Sequence, residues 1–226
     1  MKVYGTLLFM NTLTQIIIDN DLADRVISVC QLKRLLDGTE QSRYNLVNRA
    51  LKKEELVRLH RGLYVLNDRF RTVPFHPFHI AQAFAPGSYV SFETALAYHE
   101  WIPESVFITK SVIPGRKTKQ FQNEKNGLFT FHPLPVHRIH FLELVKRYQE
   151  KGQTMLIAEP LRALLDLVCL RKLAWKGLDW LIDGLRIDQD CLLSVNPKMI
   201  TLLKQVYKNQ RTQLFLNEMG KELGHD

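Results

Sequence analysis

The sequence predicts an α+β protein in two parts: a small N-terminal module of helices and one β-hairpin, then a larger mixed domain that ends in helices. Three observations carry this prediction. From Cys30 to Leu66 the pattern passes from helix to tight turn to basic helix to basic hairpin within one short stretch. A segment with two prolines, Asn67 to Pro77, then interrupts the periodicity. Beyond it, strand-like runs come first and helical runs last. The expected divisions are 1–70 for the first domain, 71–77 for a linker and 78–226 for the second domain, with strands over roughly 105–142 and helices from about 158.

Residues 11–19 (NTLTQIIID) read as a first helix, Val26 to Ser28 as a short β-prone piece and Val29 to Leu36 as a second helix. Asp37-Gly38-Thr39 then supplies a stop and a turn, since glycine takes positive φ without steric cost. Thr39 and Ser42 are both candidates to cap the following helix, expected over 41–54. Leu46, Val47, Ala50 and Leu51 gather on one side of it. Ser42, Asn45, Asn48, Arg49, Lys52 and Lys53 fall largely on the other, and Arg43 points nearer the apolar side. Val57 to His60 alternates, Arg61-Gly62 turns, and Leu63 to Leu66 returns, which is a hairpin signal. Val57, Leu59, Leu63 and Val65 are expected to face the helices, with Arg58, His60 and Arg61 outside.

In the second part, His79 to Phe84 suggests a short helix, Pro86-Gly87 a break, and Ser91 to Glu100 another helix. Val106 to Ile108, Ser111 to Ile113 and Gly127 to His132 read as strand, while Arg138 to Leu144 is β-prone without a clear period. Pro160 suits the first position of an apolar helix over Leu161 to Leu170. From Lys176 onward the pattern is mostly helical, with Pro197 opening one segment and Thr212 to Leu223 closing the chain.

The 226 residues and 46% hydrophobic content are enough for a substantial core. A net charge of +8 and a pI near 9.4 favour phosphate-bearing partners. The placement of this charge is more informative than its total: from Gln41 to Arg61 there are six basic residues against two acids. The odd set of Cys30, Cys169 and Cys191 has no CxxC spacing and sits among apolar residues, so all three are expected as buried, reduced thiols of a cytoplasmic protein. The start, MKVYGTLLFMNT, lacks a small-residue cleavage site and is not expected to be a secretory signal. No stretch approaches the ~20 apolar residues of a membrane span, so no membrane partner is expected.

Helix, turn, basic helix and basic hairpin in this order are the layout of a winged helix-turn-helix, which lays one helix in the major groove of double-stranded DNA. Cations and hydroxyls anchor phosphates, whereas amides and guanidinium forks read base edges. Asn45 and Arg49 lie one turn apart on the same side, suited to adenine and guanine respectively. Gln41 and Ser42 sit at the end that would enter the groove first, and Arg43 is counted with the DNA-binding residues although it fits that face less well. Lys52 and Lys53 are expected on phosphates, and Arg61 at the hairpin tip on the neighbouring backbone or minor groove, with Arg58 and His60 along the wing.

The run LKKEELVRLHRGLYVL (Leu51 to Leu66), followed by APGSYVSFETALAYHEWIPE (Ala85 to Glu104), resembles the AbiEi family of type IV antitoxins. The segment from Ile157 through Pro160 to Asp166 also resembles that family's second domain. The similarity runs from about Ser28 to Leu216, and RGLYVL and YVSFETAL are its most specific parts; the N-terminal dozen residues and the tail after Gly220 depart from it. The resemblance implies a bacterial autorepressor that binds its own promoter through an N-terminal winged helix-turn-helix. It also implies a second domain that counters a nucleotidyltransferase-like toxin encoded alongside, often in phage defence. It transfers no catalytic motif, and neither an enzyme activity nor a cofactor is expected. A transcriptional regulator without a toxin partner is the first alternative, and a nucleic-acid-processing enzyme is a remote second.

Other constellations carry less. His76, His79, His132, His137 and His140 are scattered about expected strand ends, and no metal is expected. Glu104 with Lys110, and Asp166 with Lys172, loosely evoke nuclease acids but lack the tight strand-borne order that metal-dependent cleavage needs. Glu159 and Asp166 are expected as a helix N-terminal carboxylate and a solvent or interface contact. Lys110, Arg116, Lys117 and Lys119 around Pro114-Gly115 form a possible second basic patch.

Overall fold

The computed structural model describes residues 12–123 and 127–224; most of the start read above for a secretory signal lies outside them. The chain is mixed α+β with two sheets, and it divides into two compact units, Met1–His76 and Pro77–Asp226.

The first unit runs α1 (Thr12–Asp19), β1 (Ile27–Ser28), α2 (Val29–Leu35), α3 (Glu40–Lys52), β2 (Leu56–His60) and β3 (Leu63–Leu66). Local chemistry sets these limits. Ser28 and Gln31 form a reciprocal capping box at the start of α2. The Thr39 side chain accepts from the Ser42 amide at 3.2 Å, so Thr39 rather than Ser42 caps α3 and the helix begins at Glu40. Gly38 holds φ +92 in the turn between the two helices, and Gly62 φ +80 at the hairpin tip. The three strands form an antiparallel sheet in the order β1-β3-β2.

The hairpin packs by the face opposite to the one expected. Leu56, Tyr64 and Leu66 join Leu13, Ile17, Ile27, Leu32, Leu36 and Ala50 in the helical core. Pairing of Leu56 with Leu66 and Arg58 with Tyr64 sets this register, and a bulge between Arg58 and His60 shifts it near the tip. The opposite face is not bare, since Leu59 and Val65 are buried too. Arg58 therefore stands on the helix side of the hairpin, its guanidinium 5.7 Å from the Tyr64 ring. The segment expected as a linker is tied to this unit. Asp24 accepts from the Thr72 amide at 2.8 Å and the Val73 amide at 3.3 Å, and from the Thr72 hydroxyl. Burial alone would raise the Asp24 pKa, but these bonds hold it below the ordinary carboxylate value.

The second unit opens with α4 (Pro77–Phe84), β4 (Tyr89–Val90), α5 (Phe92–Tyr98), β5 (Ile108–Val112), β6 (Lys119–Asn123) and β7 (Gly127–His132). It continues with β8 (Val145–Glu150), β9 (Gln153–Ala158), α6 (Pro160–Arg171), α7 (Leu178–Leu185), α8 (Gln189–Leu193), α9 (Pro197–Lys204) and α10 (Gln210–Glu222). Its sheet has the order β6-β7-β5-β4-β9-β8, with β4·β9 and β5·β7 parallel and the other pairs antiparallel. Strands thus extend past the expected limit of about 142 to Ala158, and the β-prone stretch 138–144 holds a 3₁₀ turn over Arg138–His140 instead. On one face of the sheet, Phe84 from α4 stacks on Phe121 and meets Phe129 edge-on.

A fully buried polar network joins β4, α6 and the segment after α9. Asp166 Oδ2 accepts from Tyr89 (2.9 Å) and Ser91 (2.7 Å), and Oδ1 from Arg162 Nε (3.0 Å) and Tyr207 (2.7 Å). Arg162 also donates to the carbonyls of Glu143 (3.0 Å) and Phe141 (3.4 Å) and to the Tyr89 hydroxyl (2.7 Å). The solvent or interface role expected for Asp166 is therefore overturned: its relative exposure is 0%. Burial and then the Asp166 charge push both tyrosine hydroxyls well above their ordinary pKa, so they stay protonated and donate.

Candidate nucleic-acid interface

The expected site residues fall on α3 and the hairpin of the first unit. Gln41, Ser42, Asn45, Arg49, Lys52 and Lys53 are exposed, as are Arg58, His60 and Arg61. Their exposure follows from amphipathicity: Ala50 is buried, and Leu46, Val47 and Leu51 pack against the core. Tyr44, Asn45, Asn48, Arg49 and Lys52 line an open hollow of ≈ 660 Å³ along the helix. Asn48, unassigned from the sequence, thus lies with Asn45 and Arg49.

The electrostatics of this surface are one-sided. Glu40, the acid in the first turn of α3, is paired with Lys33 from α2 at 2.7 Å. The hydrogen bond from Lys33, and then its charge, keeps the Glu40 carboxyl below its ordinary pKa. From Gln41 to Lys53 the helix and its C-cap carry no acid. Gln41 donates to Asn45 Oδ1 at 3.2 Å, which joins two amides into one ordered polar pair. An array of amides, guanidinium and ammonium groups on a rigid helix can both neutralise phosphates and exchange paired hydrogen bonds with base edges.

Arg43 is placed differently from the rest. Its Nε donates to the Leu36 carbonyl at 2.8 Å, which ties α3 to the end of α2. It is half-buried and serves the turn rather than the exposed face. Sequence reasoning gave no side of the helix to Tyr44, which is 61% exposed. The available signal was its spacing, three residues after Gln41 and four before Asn48. Lys33 and Arg34, exposed on α2, also escaped notice.

The second basic patch is not one surface. Lys110 on β5 is level with Thr130 and Gln120, whereas Lys119 on β6 is level with Phe131 and Ser111; neighbouring levels project to opposite faces of the sheet. Lys110 pairs with Glu93 at 3.1 Å, and Arg171 binds the same carboxylate. Arg116, Lys117 and Lys119 are exposed at the β5–β6 turn and edge strand.

The acids weighed for strand cleavage are engaged elsewhere. Glu104 pairs with Arg186 at 3.0 Å, and Asp166 accepts four hydrogen bonds inside the core. Glu159 stands at the N-cap of α6 and pairs with Lys146. Among the described residues, no group of three or more His, Cys, Asp or Glu side chains is placed to hold a metal ion. Cys30, expected buried, is exposed; Cys169 is buried and Cys191 half-buried, and all three are free thiols. No helix among the described residues is long and apolar enough to cross a membrane. No model of a known protein family matches the chain, and no curated protein matches it.

Proposed function

We propose that this chain is a DNA-binding transcriptional autorepressor of the AbiEi antitoxin type, whose first unit is a winged helix-turn-helix. The single observation that carries the reading is the exposed face of α3. It offers Gln41, Asn45, Arg49 and Lys52 to solvent, with the half-buried Asn48 beside them and no acid among them, on a helix whose other side is packed. In this reading α3 enters the major groove, Asn45 and Arg49 read base edges, and Lys52 and Lys53 sit on phosphates. Arg58, His60 and Arg61 on the hairpin contact the flanking backbone. Arg43 and the Lys33–Glu40 pair set the position of α3 rather than touch bases.

Repression follows from operator occupancy, and antitoxicity belongs to the second unit. Mobility shift against the chain's own upstream region, at low ionic strength, tests the first part. The reading fails if no duplex is retarded. Co-expression with the adjacent reading frame tests the second part: rescue of growth from a nucleotidyltransferase-like product supports the antitoxin role, and its failure leaves a regulator without a toxin partner.

A further inference from the structure

Tyr44 is the one large aromatic side chain on the polar face of α3, and it remains 61% exposed. It borders two hollows. One runs along α3 beside Asn45, Asn48, Arg49 and Lys52; the other, ≈ 260 Å³, lies between α2, α3 and β3, with Val29, Leu32, Leu36, Val47 and Tyr64 in its lining and the charged Lys33, Glu40 and Arg43 also bordering it. The ring therefore marks the edge where the polar reading face meets an apolar seam. Its position in the first half of α3 is the part that enters a groove first.

The major-groove edges of the bases present donors, acceptors and a single apolar feature, the C5-methyl group of thymine. Amides on either side of Tyr44 suit the adenine N6 and N7 of an A·T pair, and an aromatic ring beside them suits the methyl group of a thymine. We infer that Tyr44 is a specificity-determining residue that places its ring on a thymine C5-methyl group, so that the operator carries thymine at the position α3 presents to it. This rests on the DNA-binding reading of α3.

The test uses the full chain and a duplex selected by it from a random library. Each thymine is replaced in turn by deoxyuridine, which lacks only the methyl group, and affinity is measured by fluorescence anisotropy. At one position per half-site the replacement weakens binding about four-fold, the worth of one buried methyl group. Tyr44→Phe keeps that ratio, Tyr44→Ala brings it to about one, and Arg49→Ala lowers affinity while preserving it. Tyr44→Gln repeats the measurement should the alanine variant fold poorly. Binding with no uridine-sensitive position, or a ratio unchanged in Tyr44→Ala, overturns this inference alone. Loss of the ratio in Tyr44→Phe also overturns it, since the hydroxyl and not the ring would be the contact. Absence of any duplex binding overturns the DNA-binding reading itself, and this inference with it.

Discussion

Removing the Asp166 carboxylate is the most demanding test of the second unit. Asp166→Ala leaves the Arg162 guanidinium, itself at 0% exposure, inside the core without its counter-charge. Breaking a buried pair by removing one partner costs about 3–5 kcal/mol, because the surviving charge stays desolvated. Three hydroxyls also lose an acceptor. Tyr89 still receives Arg162, and Tyr207 can turn to the Arg162 carbonyl, which lies 3.4 Å away. Ser91 has the least recourse, which adds about 1 kcal/mol. The expected loss is therefore about 4–6 kcal/mol, a large part of the ~5–15 kcal/mol that holds a typical domain.

The assay is urea unfolding followed by tryptophan emission, since Trp101, Trp175 and Trp180 all belong to the second unit. Arg162→Met combined with Asp166→Ala removes both charges, so the double variant should be no less stable than Asp166→Ala alone. The two changes then couple by about 2 kcal/mol or more. The reasoning would be refuted by a cost below about 1 kcal/mol for Asp166→Ala, or by strict additivity of the two substitutions.

Four other outcomes are expected. Gly38→Ala forces a Cβ to within 2.6 Å of Ser42 Oγ at a residue with φ +92, and should cost about 1–3 kcal/mol by chemical denaturation and weaken duplex binding as the turn shifts. Arg49→Ala should relax sequence preference, whereas Lys53→Ala should weaken all duplexes equally and flatten the salt slope by about one; anisotropy titrations on selected and random duplexes separate the two. Arg43→Ala should lower stability by about 1 kcal/mol through loss of the Leu36 tether, with sequence preference unchanged in the same titrations. Burial holds His99 and His132 below the ordinary imidazole pKa. The unfolded chain then binds protons that the folded chain refuses, so the urea midpoint should fall as pH drops below about 6.5, and His132→Gln should make that fall shallower.

The first unit was largely legible because its signals are local. Ser28 with Gln31, Gly38 with Thr39, and Arg61-Gly62 each fix a boundary by chemistry within a few residues, and the elements begin and end close to them. What failed there was the face of the hairpin. Leu56 to Leu66 alternates apolar residues well enough to suit either face, and the pairing of Leu56 with Leu66 decides it from outside any short window. The β8–β9 hairpin was missed for a different reason. Val145 to Glu150 is mostly polar, with only Val145 and Tyr148 half-buried, so it lacks the apolar run sought in a strand. Its turn was nonetheless readable: Lys151 and Gly152 both take positive φ, the lysine-glycine pair being the local signal.

Asp166 shows where single-chain reading ends in the second unit. Its partners Tyr89, Ser91 and Tyr207 lie 77, 75 and 41 residues away, and no periodicity links such distances. Only Arg162, one helical turn back, was in sight, and an Arg–Asp pair at that spacing reads as a solvated pair on a helix surface. The difference is set by α6, nine of whose twelve residues are buried: a helix enclosed all round turns an ordinary i,i+4 pair into an internal charge that must be satisfied completely. The α3 face is the converse case. Its polar residues need no partner within the chain to be stable, since water satisfies them, and so their pattern survives intact in the sequence. Polar groups that the fold consumes are hidden from a linear reading, while those it leaves to water stay visible. This is why the exposure of Asn45 and Arg49 could be read from the sequence and the Asp166 network could not.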